Sequence, residues 1–305
     1  MILCVGEALI DLIPDSSGNP APHVGGAVLN TARALGRLGQ NAALLTGVSS
    51  DQYGALISEA LTESGVATDC IVHSDRPTTL AVVNVSSGNA RYEFRDEGSA
   101  LRDLRFDELP PPPDATRALF FGGISLCNAP VADAIAEYAE AHVGSCLTFL
   151  DPNLRPGFAN DPEGYVIRLK RMMRVADLVK VSDEDLSVLH PGLSVDNAVQ
   201  TILSSGPRIV FLTVGAEGAR AICANGLVVD VPSPRSKVVD TVGAGDTFNA
   251  GVLAKAAELG LLDNPDVDAW SREQISALLT LGTRAASVTV SRAGANPPWT
   301  RELTA

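Results

Sequence analysis

The sequence predicts a doubly wound α/β fold, a mostly parallel sheet flanked by helices, with a small β lid. Three observations predict it. Short apolar runs alternate with helical patterns along the chain, as repeated βαβ units do. Those runs carry almost no polar residues, as parallel strands buried on both faces require. One segment, residues 80–95, breaks the alternation with a strand, turn, strand signal. At 305 residues, length alone leaves one large domain or two smaller ones open. No internal repeat is visible.

Taken in order, Met-Ile-Leu-Cys-Val starts a first strand at 2–5 and lacks the basic opening of a signal peptide. Residues 9–23, with their Pro and Gly, add to the lid. A helix is predicted near 27–38, a strand at 43–46 and a helix near 54–64. The lid hairpin follows, with arms at 80–85 and 90–95; the whole lid comprises about 9–23 and 76–105. Pro110 to Pro113 form a rigid connector back to the core. Strands at 119–121, 147–150, 178–181 and 210–214 then alternate with helices near 131–142, 163–175 and 196–204. Helices near 246–259 and 272–288 close the chain. In such sheets ligands bind beyond the carboxyl ends of the strands, where Asp151-Pro-Asn and Thr213-Val-Gly fall.

Hydrophobic residues make up 46% and charged residues 19%, the balance of a globular core. A net charge of −13 disfavours nucleic acid or an anionic membrane surface as partner. An anionic substrate must then be held by local N–H groups, magnesium and a few placed cations. Cys4, Cys70, Cys127, Cys146 and Cys223 are scattered, without a Cys-x-x-Cys pair, and read as buried thiols. His23, His73, His142 and His190 have no zinc spacing. No run of about 18 apolar residues occurs, and the expected location is cytoplasmic.

The stretch with the most chemistry is Asp240-Thr-Val-Gly-Ala-Gly-Asp-Thr-Phe-Asn-Ala-Gly251. An apolar run ends at Asp240, and Gly243-Ala244-Gly245 leads into a helical pattern. Free backbone N–H groups and the positive end of a helix dipole meet there, which suits a phosphate. Asp246 sits inside that anion site, where a carboxylate repels phosphate and so needs a reason to exist. General-base work on an acceptor hydroxyl beside a transferring phosphoryl group is such a reason. An N-capping Asp in a glycine turn is the plainer one. Gly25-Gly26 lets backbone approach a ligand closely. Asn30 follows in a helix that Asn does not favour, and its amide can both donate to and accept from hydroxyls.

Gly25-Gly26-Ala27-Val28-Leu29-Asn30-Thr31-Ala32 through Gly39 resembles the N-terminal signature of the ribokinase/PfkB sugar kinases, and residues 240–251 resemble their C-terminal signature. The resemblance runs from Gly6 to about Gly294. Asp151-Pro-Asn-Leu-Arg155 and Phe94-Arg95…Gly98-Ser99-Ala100 look most like fructokinases. The resemblance implies one ribokinase-like kinase domain over 1–305 that uses ATP, Mg2+ and, in some relatives, K+.

It also implies roles. Asp11, Gly25, Gly26, Asn30, Arg95 and Asn153 would bind the sugar, Asp246 would be the base, and Gly243, Ala244, Gly245 and Arg155 would offset charge on the γ-phosphate. Asp151 would orient Asn153 or reach magnesium through water. Lys180, Ser182, Thr213, Gly215, Gly218, Gly243, Gly245 and Asn249 would bind ATP. Ser291 to Asn296, with Asn249, would meet adenine. Asp185 would bind Mg2+ through water, although relatives carry Glu there and a capping box from Ser182 competes. Asp240 would be the side-chain ligand of a monovalent cation. A homodimer through the lid is left open.

A Walker-type NTPase needs Gly-Lys-Ser/Thr, and no Gly-Lys pair occurs. A Rossmann dehydrogenase needs Gly-x-Gly-x-x-Gly near the start, whereas Gly243-x-Gly245-x-x ends in Phe248. Two readings remain beside a fructokinase: a 2-keto-3-deoxygluconate or other sugar or nucleoside kinase, and a binding protein without catalysis. Loss of the base would mark the latter, and Asp246 is present.

Overall fold

The computed structural model describes residues 1–15, 17–86, 89–263 and 266–303. The hairpin turn at 87–88 and the Arg91 side chain lie outside the described residues.

Six parallel strands build the main sheet: β1 (Ile2–Val5), β4 (Ala42–Leu45), β9 (Ala118–Gly122), β10 (Leu147–Asp151), β11 (Leu178–Ser182) and β12 (Ile209–Val214). Two antiparallel strands, β13 (Gly218–Cys223) and β14 (Val228–Pro232), extend its edge to give the order β14-β13-β12-β11-β10-β9-β1-β4. Sequence reading foresaw the six parallel strands and not these two. Strand β13 begins at a glycine and is interrupted by Arg220, whereas β12 opens on the apolar run Ile209–Leu212.

Alternation across the sheet splits the core in two. Ile2, Cys4, Phe120, Phe149 and Phe211 face α1 (Ala27–Arg37), α7 (Ala244–Glu258) and α8 (Arg272–Thr289). Leu3, Val5, Phe121, Leu150 and Val181 face α3 (Val131–Ala141), α4 (Pro162–Val175) and α6 (Val195–Leu203). An aromatic row, Phe120, Phe149, Phe211 and Phe248, has successive centroids 5.7, 5.8 and 6.4 Å apart and carries the sheet into α7. Each such ring contributes roughly 1.5–3 kcal/mol by burial. Helices α7 and α8 cross closely because both are glycine at the contact: a Cβ on Gly251 would lie 2.7 Å from the Gly282 Cα.

The remaining helices are α2 (Gln52–Glu63), α5 (Asp183–Leu189) and the short α9 (Thr300–Leu303). Strands β5 (Gly47–Ser49) and β6 (Val72–Ser74) form a small parallel pair. A second sheet, in the order β3-β2-β7-β8, stands apart as the lid: β2 (Leu9–Pro14), β3 (Pro20–Gly25), β7 (Leu80–Ser86) and β8 (Asn89–Arg95). Strands β2 and β3 join the hairpin through the parallel β2–β7 pairing. The lid strands end at Arg95, short of the expected boundary at 105. Leu101 and Leu104 already belong to the core beside Leu3 and Leu45.

All five cysteines are free and buried. No helix among the described residues is long and apolar enough to cross a membrane.

Candidate active site

A cleft of about 710 Å³ opens beyond the carboxyl ends of β1, β9, β10 and β11, under the lid. Glu7, Asn30, Lys180, Asp185 and Asp246 line its depth, and Leu9, Asp11, Ile13 and Phe94 come from the lid.

Asp246 stands in the first turn of α7, 6% exposed. Burial pushes its pKa up to about 7, helped by Asp151 and Glu7 and opposed by the Asn30 hydrogen bond and by Lys180. Helix α1 grips it twice: Asn30 Nδ2 donates to its carboxylate at 2.9 Å, and Thr31 Oγ1 donates to its carbonyl at 3.2 Å. Asn30 Oδ1 is buried without a hydrogen-bond partner among the described residues, and Asn30 lines the cleft. An acceptor left unpaired costs about 1–3 kcal/mol, so a hydroxyl donor is the ligand this amide suits.

Gly243 caps α7 in the left-handed region, φ 77° and ψ 3°. The Ala244 amide donates to Thr241 O at 3.2 Å, the closing bond of a turn whose third residue must have positive φ. That bond engages the Ala244 N–H, and Ala244 lines the cleft beside Gly243 and Gly245. A Cβ on Gly243 would also lie 2.7 Å from Ala295 Cβ, and one on Gly245 3.0 Å from Lys180 Nζ. The turn thus fits between the 294–296 loop and a buried ammonium.

Lys180 is 4% exposed and pairs with Asp151 at 3.2 Å. Burial pulls its pKa down, but Asp151 and Asp185 outweigh that and hold it above the usual lysine value. It therefore stays charged in the depth of the cleft. Asn249 is fully buried and donates to Asp151 at 2.6 Å. It props this ion pair and does not line the cleft, which corrects its assignment to adenine. Asp151 also accepts from the Asn153 amide at 3.1 Å, so it orients Asn153, which holds a left-handed φ of 41°. Asn tolerates that conformation better than most residues.

On the lid side, burial raises the Asp11 pKa to about 6, with His23 opposing. A Cβ on Gly25 would overlap the Asp11 carboxylate, and one on Gly26, whose φ is 108°, would lie 2.9 Å from Glu7 O. Both glycines are needed for the neighbouring acids to fit. Gly26 lines the cleft and Gly25 backs Asp11. Phe94 packs on Phe158 with centroids 4.4 Å apart, joining lid to body across the mouth.

Arg95 points elsewhere. It is 59% exposed and donates to Glu93 at 2.9 Å, because adjacent residues of a strand face opposite sides and Phe94 takes the cleft side. The expected sugar contact by Arg95 is corrected accordingly. Arg155 reaches the cleft rim, its Nη1 donating to Leu154 O at 2.8 Å.

Ser182 and Asp185 form the capping box of α5, and Asp185 also accepts from the Leu154 amide at 2.9 Å. Both line the cleft. Thr213, Gly215 and Gly218 lie outside it, and Gly218 is pressed against the end of β14 and Ser233 just beyond it. Asp240 accepts from Val242 N at 3.0 Å and Gly294 N at 2.9 Å, tying its loop to the 294 turn. Among the described residues no group of three or more His, Cys, Asp or Glu could cage a metal. Asp185, as a cleft-lining carboxylate, suits a hydrated magnesium, which needs only one or two carboxylates beside phosphate oxygens.

Sequence reasoning missed Glu7, buried to 1% and lining the cleft, and Thr31 as the second grip on Asp246. Both belong to segments singled out for other residues. A strand-end Glu beside a glycine was the available signal for the first.

Known proteins share this chain's family and fold. A fructokinase of Rhizobium leguminosarum bv. trifolii is 43% identical over 271 residues, 88% of this chain and 83% of its own. The ATP-bound fructokinase structure from Xylella fastidiosa superposes with a TM-score of 0.88 at 26% identity, covering 99% of this chain and 97% of that one. A Vibrio cholerae O395 fructokinase with fructose, ADP and calcium ion gives 0.84 at 26%, covering 96% and 94%. The pfkB family carbohydrate kinase profile matches residues 1–302. With that match joined to a ribokinase-like sheet, a β lid and a buried aspartate at the head of α7, the chain belongs to the pfkB family of carbohydrate kinases.

Proposed function

We propose that this kinase transfers the γ-phosphoryl group of ATP to the 6-hydroxyl of fructose, with Asp246 as general base. The observation that carries the reading is Asp246 itself: buried, facing the cleft at a helix amino end, with a pKa near 7. A base near neutrality combines the ionised form with useful basicity. Asn30 would donate to Asp246 through Nδ2 and accept from the sugar through its unpartnered Oδ1. Asp246 takes the hydroxyl proton, the sugar oxygen bonds to the γ-phosphorus, and the bond to the bridging oxygen breaks to release ADP. Amides of Gly243 and Gly245, with Lys180 and Arg155, would offset charge developing on the phosphoryl oxygens. Asp185, through water, would hold magnesium, which would supply neutralisation of the phosphate charge. Asp240 and the 294 turn would hold a monovalent cation. A sugar held by Asp11, Asn30 and Asn153 fills the lid side.

Fructose is favoured over an acid sugar by charge. A 2-keto-3-deoxy acid brings a carboxylate, and an unpaired buried charge costs several kcal/mol. In this reading Lys180 and Arg155 serve the phosphoryl group and Arg95 faces away, so the lid side offers acids and amides. The identity to the Rhizobium fructokinase supports the same choice. A coupled ADP-release assay over fructose, ribose, 2-keto-3-deoxygluconate, adenosine and glucose, with and without potassium, tests it. Fructose should give the highest kcat/KM. Turnover of the keto acid at least about tenfold more efficient would overturn the choice of sugar.

A further inference from the structure

We infer that Glu7 is a positioning residue for the transfer step, fixing the amino end of α1 so that Asn30 meets Asp246. Glu7 lies two residues past the end of β1 and is 1% exposed. Its Oε1 accepts from the Ala27 amide of α1 at 2.9 Å, and its Oε2 accepts from the Ser125 amide of the turn after β9 at 3.2 Å. Its own carbonyl accepts from the Leu29 amide at 3.2 Å. One residue thus ties α1 to two sheet strands, and a carboxylate at a helix amino end is also favoured by the dipole.

The surroundings are shaped for that side chain. Gly123, φ 69°, would overlap the Glu7 carboxylate if it carried a Cβ, and Gly26 would crowd its backbone. Two positive-φ glycines clear room for a single acid. One helical turn beyond Ala27, Asn30 donates to Asp246. A shift of α1 at its amino end therefore moves the donor that orients the base, and misplacement by about 1 Å can cost about a hundredfold in rate. The inference rests on the reading of Asp246 as base.

The test is a double-mutant cycle in kcat with the best sugar of the panel: wild type, Glu7→Gln, Asn30→Ala and both together. A glutamine keeps the volume but turns an NH2 toward one of the two amides, so one bond is lost. Each single change should lower kcat about tenfold to a hundredfold. The double variant should fall within about threefold of the slower single one, because both act through the same contact. Losses that multiply, or a Glu7→Gln enzyme within about twofold of wild type, would overturn the inference. Should Glu7→Gln fail to fold, Gly123→Ala crowds the carboxylate without removing it and must show the same non-additivity with Asn30→Ala. Asp246→Asn is run alongside. If it stays active, the base reading is wrong; if it is inactive while Glu7→Gln is normal, only the role of Glu7 falls.

Discussion

Asp246 is held where its charge is unwelcome, and that has two measurable consequences. Its pKa of about 7 lies above the 3.8 of an unperturbed aspartate. If the ionised form is the base, kcat/KM should fall tenfold per pH unit below about pH 7; a profile flat down to pH 5 contradicts the assignment. For stability the sign follows from proton uptake. Between the two pKa values the folded state binds more protons than the unfolded one, so stability drops as pH rises through this window. Above about pH 7 the penalty is complete. Asp246→Asn removes it, so the Tm gain of that variant should be larger at pH 8 than at pH 4; equal gains would mean the carboxylate carries no burial penalty. Arg95 makes the opposite case. Exposed and paired with Glu93, it should leave the sugar KM within about twofold of wild type when changed to Ala, since exposed pairs contribute only about 0–1 kcal/mol.

The elements were legible to the extent that periodicity speaks. Helices near 27–38, 131–142, 163–175 and 272–288 were found within about two residues of α1, α3, α4 and α8. The antiparallel edge was not, because β14 is largely exposed and Arg220 and Gly218 interrupt β13, so neither carries a long apolar run. Strand parity decided the Arg95 question, and a hairpin arm of polar and aromatic residues does not reveal which face meets the body until Phe94 is seen against Phe158. That contact yields a prediction for the lid. Phe158→Ala should raise the sugar KM several-fold and increase ATP hydrolysis without sugar, because a loosened lid admits water. Unchanged KM and unchanged hydrolysis would show that the ring pair does not hold the lid over the site.

At the scale of the molecule, the two glycine-bearing signatures, some two hundred residues apart, are brought face to face: α1 and α7 pack together and Asn30 touches Asp246. Sequence order with family resemblance was enough to name both, and the cleft confirms that they share one wall. What stayed hidden was pairing among buried polar groups. Asn249 reads as a ligand in a motif but closes the Asp151–Lys180 pair, and Glu7 reads as the end of a strand but braces α1. No pattern in one chain tells whether a buried amide faces a ligand or a neighbour. The chain's charge of −13 also fits a site that draws its anion with a buried lysine and helix amides, not with a basic surface. The most direct test of the whole account is the rate of Asp246→Asn with fructose and ATP, measured together with binding of each substrate. The account predicts a loss in kcat on the order of 10²–10⁴ with binding of both largely kept; a variant within about threefold of wild-type kcat would contradict it.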